Sequence, residues 1–315
     1  MLAAVRMTIC AGLGLAVLQT GGRRTVNSAA PPAPPVAHAT LQLGEELEYR
    51  VHYWFVTIGS VQFKITDSLE RDGRTVYRAE SIVNSNPALS WLTQTHLRCS
   101  SEIDQEGFSY AWACNDSSSK GVTYQNIQFD YPNERMYYSR GEVLASGECV
   151  QTSVDTVPVS DRSADGVSLM YYARQRAHQK ADEHVPAFLN KKQVFLDVNF
   201  LNERMDMNHG AIGYPIGVIH FKGRANFVGA AGLTGAFDAW VSDDDARVVM
   251  AARLKVFLGS VKVELAKWNR AEWTPPKCAT QLSGRPSSSR EHGRFSLADA
   301  FRRMRRSSAP GPCAA

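Results

Sequence analysis

The sequence predicts a mainly β protein, an antiparallel, strongly curved sheet or half-open β-barrel with one packed helix. Three observations carry this. Short runs of alternating apolar and polar residues recur between Glu46 and Leu265, the period of strands with one buried face. Turn signals such as Asp72-Gly73, Glu106-Gly107 and Pro132-Asn133 punctuate those runs. Only one segment has convincing helical spacing, which argues for strands joined to one another rather than strands alternating with helices.

The chain has 315 residues and a net charge of +4, with 44% hydrophobic and 21% charged residues, an ordinary globular composition. Its ends differ from its middle. Arg6 precedes a charge-free apolar run from Met7 to Gly22, and Ala37-His38-Ala39 follows a Pro/Ala-rich stretch. Residues 1–39 therefore predict a signal peptide and linker, with Thr40 as the mature start. Left uncleaved, the run would be a short membrane anchor. Export to the periplasm, or to the periplasmic face of the envelope, is the expected localisation. Residues 275–315 are rich in Pro, Ser and Arg and predict a disordered basic tail. The tail carries +6 and the first 39 residues +3, which leaves −5 for residues 40–274. An acidic domain is not the surface that binds nucleic acid.

Within residues 40–274, expected to form a single domain, Leu47, Tyr49, Val51, Tyr53 and Phe55 alternate with Glu46, Glu48, Arg50 and His52. After "TIGS" the alternation resumes at Val61, Phe63 and Ile65, so a hairpin turning at that tetrapeptide is expected. In "LRCSSEIDQEGFSYAWACN" a two-residue turn at Glu106-Gly107 sets Cys99 directly opposite Cys114, a candidate disulfide. Runs at "VTYQNIQFDY", "RMYYS" and "EVLASGECV" continue the strands. The helix is expected near 163–179, capped by Asp161 or Ser163, with Val167, Met170, Tyr171 and Arg174 at helical spacing. Strands resume with "QVFLDVNF", buried on both faces or bent, then "GVIHFKGRANFV" and "GAFDAWV". Last comes "RLKVFLGSVKVEL". A turn at Gly259-Ser260 pairs Leu254 with Leu265, Val256 with Val263, Leu258 with Val261 and Lys255 with Glu264, which puts the apolar residues on one face.

Three stretches together resemble an exported bacterial family catalogued as domain of unknown function 3108: "GEELEYRVHYWFVTIGSVQFKI", "DGVSLMYYAR" and "GAFDAWVSDDDARVVMAARLKVFLGSVKVEL". The resemblance spans about residues 43 to 268. It implies a cell-envelope β protein whose relatives have no established catalytic set. It also implies, by analogy of fold, a half-open barrel able to hold lipid-like groups or peptide partners.

The chemistry-bearing motifs are sparse. G-x-S-x-G, H-E-x-x-H, a P-loop and a dinucleotide fingerprint are all missing from the sequence, and no cofactor is implied. Ser117-Ser118-Ser119-Lys120 fits S-x-x-K without the partner motifs that chemistry needs. The histidines are spread over different elements. The run "SDDDARVV" invites a metal reading, but consecutive aspartates on an extended chain point to opposite faces, and no glycine follows as a calcium loop needs. A hairpin tip kept in water by its acids is the expectation. Many aromatic residues could instead enclose an apolar ligand, with Tyr49, Tyr53, Trp91, Trp112 and Trp240 as candidate lining, or simply fill the core. In the tail, Leu297, Phe301 and Met304 at i, i+4 and i+7, with Arg302 and Arg305 beside them, make a candidate contact for an anionic membrane surface or a partner. A solvated tail is the plainer reading. The expected function is a non-catalytic carrier or binding domain for a lipid-like envelope ligand. The alternative is an envelope assembly module that works through protein contacts with a filled core.

Overall fold

The computed structural model describes residues 40–278 except 72, 91–93, 119–120, 190, 229–232 and 257–258. The chain divides by compactness after Cys278, and the description concerns the first unit. The predicted signal peptide and residues 279–315 of the predicted basic tail, including Leu297, Phe301, Arg302, Met304 and Arg305, lie outside the described residues, as does Trp91; residues 275–278, expected to belong to the disordered tail, are instead packed on the sheet, with Lys277 bridged to Ile216 and Cys278 buried.

The architecture is mainly antiparallel β, as the alternation predicts. Fourteen strands form one sheet: β1 (Glu46–Tyr53), β2 (Val56–Arg71), β3 (Arg74–Ser85), β4 (His96–Asp104), β5 (Ser109–Asp116), β6 (Val122–Asp130), β7 (Arg135–Val143), β8 (Cys149–Pro158), β9 (Ala181–Leu189), β10 (Lys192–Met207), β11 (Ile216–Val228), β12 (Leu233–Ser242), β13 (Val249–Val256) and β14 (Ser260–Asn269), with helix α1 (Ser168–Arg176) between β8 and β9. Their spatial order is β8 back to β1, then β14 back to β9. The chain thus meanders one way, crosses through α1, and meanders back until β14 lies against β1.

The sheet stays open between β8 and β9, and side chains span that seam where ladder bonds would close a barrel. Lys191 pairs with Asp155, donates to Ser153 Oγ at 2.9 Å and sits over the Tyr138 ring. Phe188 meets Phe129 edge to face at 5.5 Å. The segment just before α1 covers part of the β9 edge: Ala164 N–H donates to Pro186 O, and Phe188 N–H donates to Ala164 O.

Helix α1 supplies the bulk that fills the interior. Val167 and Tyr171 pack with Leu41, Ile65, Tyr77, Ala79 and Ile103. Tyr172 packs with Val185, Val198, Phe200, Phe221 and Val241 on the other half of the sheet, and Met170 reaches the cluster of Leu47, Tyr49, Val218 and Met250. Each fully buried large side chain of this kind contributes about 2–3 kcal/mol. A nine-residue helix would not hold alone in water; these contacts are what hold it.

Three details depart from the sequence reading, and a fourth decides between its alternatives. The first hairpin turns at Trp54-Phe55, with Tyr53 opposite Val56, and "TIGS" lies inside β2. Gly59 is there for closeness: a Cβ on it would stand 2.5 Å from Asn84 O of β3. In the last hairpin Leu254 pairs with Val261 and Lys255 with Ser260, so the register is slid by four residues, and Lys262 takes Glu264 as its partner. An even slide keeps every side chain on its face, so alternation cannot detect it. The cap of α1 is Asp165, whose Oδ1 accepts from Val167 N–H at 2.7 Å and Ser168 N–H at 2.9 Å, rather than Asp161 or Ser163. The "QVFLDVNF" strand bends just beyond its end, where Asn202 has a φ of 53° and the pairing with β11 skips.

Candidate functional site

The best-defined constellation of polar groups is the seat of α1. Asp165 is buried, accepting from the two helix amides and from Ser101 Oγ at 2.5 Å. Burial pushes its carboxyl up, against the hydrogen bonds of Ser101, Ser109, Ser168 and Val167 that favour the ionised form. One turn on, Gly107 of the β4–β5 tip rests on the helix backbone, where a Cβ would come within 2.5 Å of Tyr172 Cα. Arg176 Nη1 donates to Glu106 O at 2.8 Å and pairs through Nε with Glu183 at 3.2 Å. Tyr172 Oη also donates to Glu183, at 2.5 Å.

The far side of the helix holds a charge cluster in the interior. Arg174 and Glu45 are both 0% exposed, and the guanidinium meets the carboxylate with two bonds, Nη1 to Oε1 at 2.6 Å and Nη2 to Oε2 at 2.9 Å. Two further donors go to Arg247 O at 3.0 Å and Ala246 O at 2.9 Å. Arg270 closes on the same carboxylate. Burial would push Arg174 down, yet Glu45 holds it above the ordinary arginine range, whereas burial wins at Arg270 and lowers it. Burial also pushes the neighbouring Tyr49 and Tyr171 hydroxyls up, so they stay neutral.

Those two carbonyls belong to the acidic run, which places "SDDDARVV" in the seat. Ser242, Ala246 and Val248 are buried; the run is not a tip standing in water. Asp244 organises it. Its Oδ1 accepts from Ser242 Oγ at 2.7 Å and Arg247 N–H at 3.0 Å, and its Oδ2 accepts from Trp273 Nε1 at 2.7 Å. Asp243 pairs with Arg204 at 2.9 Å. Arg247 donates to Gln175 O at the end of α1. Among the described residues no group of His, Cys, Asp and Glu has metal-holding geometry. Sequence reasoning missed the seat because Glu45 and Arg174 are 129 residues apart. The available signals were an arginine on the apolar stripe of the predicted helix and the cluster of acids after "GAFDAWV".

The candidate lining aromatics fall in different surroundings. Tyr49 is buried against Phe63, edge to face at 6.0 Å. Trp240 packs at the border of the same cluster and stacks on His220 at 5.2 Å. Trp112 belongs with Ile103, Ile127 and Phe129, and Tyr53 stacks on Trp54 at the β1–β2 tip. Cys99 lies opposite Cys114 and is joined to it by a disulfide. The route differs from a simple two-residue turn: Asp104 N–H bonds Phe108 O, which makes a three-residue tip, and a bulge near Tyr110 restores the register.

The histidines are engaged one by one, for example His184 with Asp197 at 2.6 Å, His220 with Asp238 at 3.0 Å and His209 Nε2 with Met250 O at 3.1 Å. The clefts are surface features with polar rims. One of about 450 Å³ lies over β9–β12 among Val198, Ala236, Phe237, His184, Asp197 and Arg224. Another of about 680 Å³ lies among Arg50, Thr57, Asn84, Asn86 and Ser118. No described helix is long and apolar enough to cross a membrane.

A family model described as "Protein of unknown function (DUF3108)" matches residues 48–266. No curated protein matches the sequence. Among solved structures the chain is similar to a β-barrel-like protein of domain of unknown function DUF1849 from Brucella abortus, at 7% identity and a TM-score of 0.50, covering 73% of this chain and 99% of that one. A protein described as exported, with a YmcC-like fold, from Bacteroides fragilis aligns at 8% identity and a TM-score of 0.32, covering 73% and 97%.

Proposed function

The chain belongs to the DUF3108 family of proteins of unknown function, and we propose that it is an exported, non-catalytic envelope module that acts through contacts of its outer surface. The observation that carries this reading is the interior position of α1, where Val167, Met170, Tyr171 and Tyr172 occupy the space a carried ligand would need. The sheet and helix then form a rigid scaffold, and its loops and rims face the partners. Native mass spectrometry of the mature domain tests it. A protein of ligand-free mass is expected, and a lipid that co-purifies and survives desalting sinks the reading.

The seam between β8 and β9 favours a second reading. Side chains span it, so an apolar guest could enter by displacing α1, and the domain would be a carrier for a lipid-like envelope ligand. Under that reading Tyr171→Ala, which empties part of the interior, increases lipid uptake. Under the first it only destabilises.

A further inference from the structure

The tip joining β1 and β2 carries an apolar pair out into solvent. Trp54 is 78% exposed and Phe55 88%, and Val56 beside them is also exposed, whereas Tyr49, Tyr171 and Tyr172 are buried. Turns of this size favour Asn-Gly or Gly-x, and the tips at Gly73, Gly107 and Gly147 are turned by glycine. Here a tryptophan takes the left-handed conformation, with φ of 56°, which disfavours a bulky side chain. Both side chains are held out of the core; among the described residues Tyr53 stacks on Trp54 at 6.3 Å, and a Cβ on Gly259 of the next tip would stand 3.8 Å from Trp54 Nε1.

The neighbouring strands give the tip a sign. At its base His52 lies opposite Lys262, and Lys262 lies opposite Arg253. All three side chains point away from the core, and Lys255 follows two residues further toward the end of β13. Like charges directly across a ladder repel. Glu264 answers Lys262 at 2.5 Å, and Asp238, across from Arg253, is bonded to His220. Even counting both acids, the three permanent cations leave an excess of positive charge beside the apolar tip, on a domain that is acidic as a whole.

Exposed aromatics on a short loop, with cations just behind them, match a bilayer interface, where rings enter the headgroup boundary and lysine or arginine meets anionic phosphates. We infer that the Trp54-Phe55 tip docks the domain on an anionic phospholipid surface, by shallow insertion of the two rings with Arg253, Lys255 and Lys262 against the headgroups. This deepens the surface-contact reading above by naming a partner, and it depends on that reading only in placing function on the outside of the sheet.

The test is co-sedimentation of the full chain with phosphatidylglycerol-containing vesicles, compared with pure phosphatidylcholine vesicles. Binding to the anionic vesicles is expected, weakened by salt. Trp54→Ala and Phe55→Ala should each lower it roughly tenfold, and Lys255→Ala roughly fivefold. Trp54→Phe should keep binding and abolish fluorescence quenching by brominated acyl chains, a result that also shows a folded variant. Three results overturn the proposal: no binding to anionic vesicles, binding indifferent to both ring deletions (as the basic tail alone would give), or tip-dependent self-association or protein capture without vesicle binding. None of these touches the filled interior, which native mass spectrometry judges separately.

Discussion

The seat of α1 and the β1–β2 tip invert the usual sorting of side chains. In the seat Arg174 and Glu45 are wholly out of water; at the tip Trp54 and Phe55 stand in it. The buried ions persist because the groups around them are answered: two bonds between the partners, two carbonyls from the acidic run and a second arginine. The exposed rings have no such network. If they serve the docking proposed above, the two regions should respond oppositely to mutation.

The largest expected effect is at the seat. Glu45→Ala removes the carboxylate that Arg174 and Arg270 share and should cost about 3–5 kcal/mol, read from urea unfolding; a loss below about 1 kcal/mol would mean the cluster is hydrated in solution. Asp244→Ala comes next. Ser242, Arg247 and Trp273 lose their shared acceptor, for about 1–3 kcal/mol, together with a shift in Trp273 emission.

A smaller effect depends on pH. Burial, and then Arg247, hold His178 below its ordinary 6.5, against the pull of Asp243. The unfolded chain therefore takes up this proton more readily than the folded one. Its contribution is complete above 6.5 and fades as pH falls from there through the folded value. His178→Asn should flatten the melting temperature in that window; an unchanged slope places the acid sensitivity elsewhere. The smallest stability effect belongs to the tip. Trp54→Ala with Phe55→Ala should move unfolding by no more than about 0.5 kcal/mol while removing vesicle binding, and a large loss of stability would erase the contrast between the two regions.

Much of the sheet was legible because strand burial writes a period of two into the sequence. The face of Leu47 and Tyr49 and the strands flanking Cys99 and Cys114 could be read from that period alone. Turn positions were less legible. Gly59-Ser60 looks like a turn and is instead a close approach between β2 and β3, while the real turn is written in aromatics that no turn rule selects. The β13–β14 register escaped for a sharper reason: a four-residue slide preserves every face, and the Lys255–Glu264 pair that seemed to fix it was a coincidence of spacing. The seat was illegible in detail, since Glu45, Arg174, Ala246 and Arg270 share no local pattern. Only the unusual arginine in an apolar helix and the density of acids after β12 hinted that this part of the chain had a task.

The pairing of β1 with β14 has a consequence for how the molecule is made. Glu48 and Lys267, joined at 3.0 Å across that pair, are 219 residues apart, so a chain emerging from its N-terminus carries one unsatisfied flank of its first strand until almost the whole domain has been delivered. Contacts of such span form late and slowly. Through that interval the Leu47–Tyr53 backbone is a template for strangers, and a chain cut short before β14 would be left with a permanently open side.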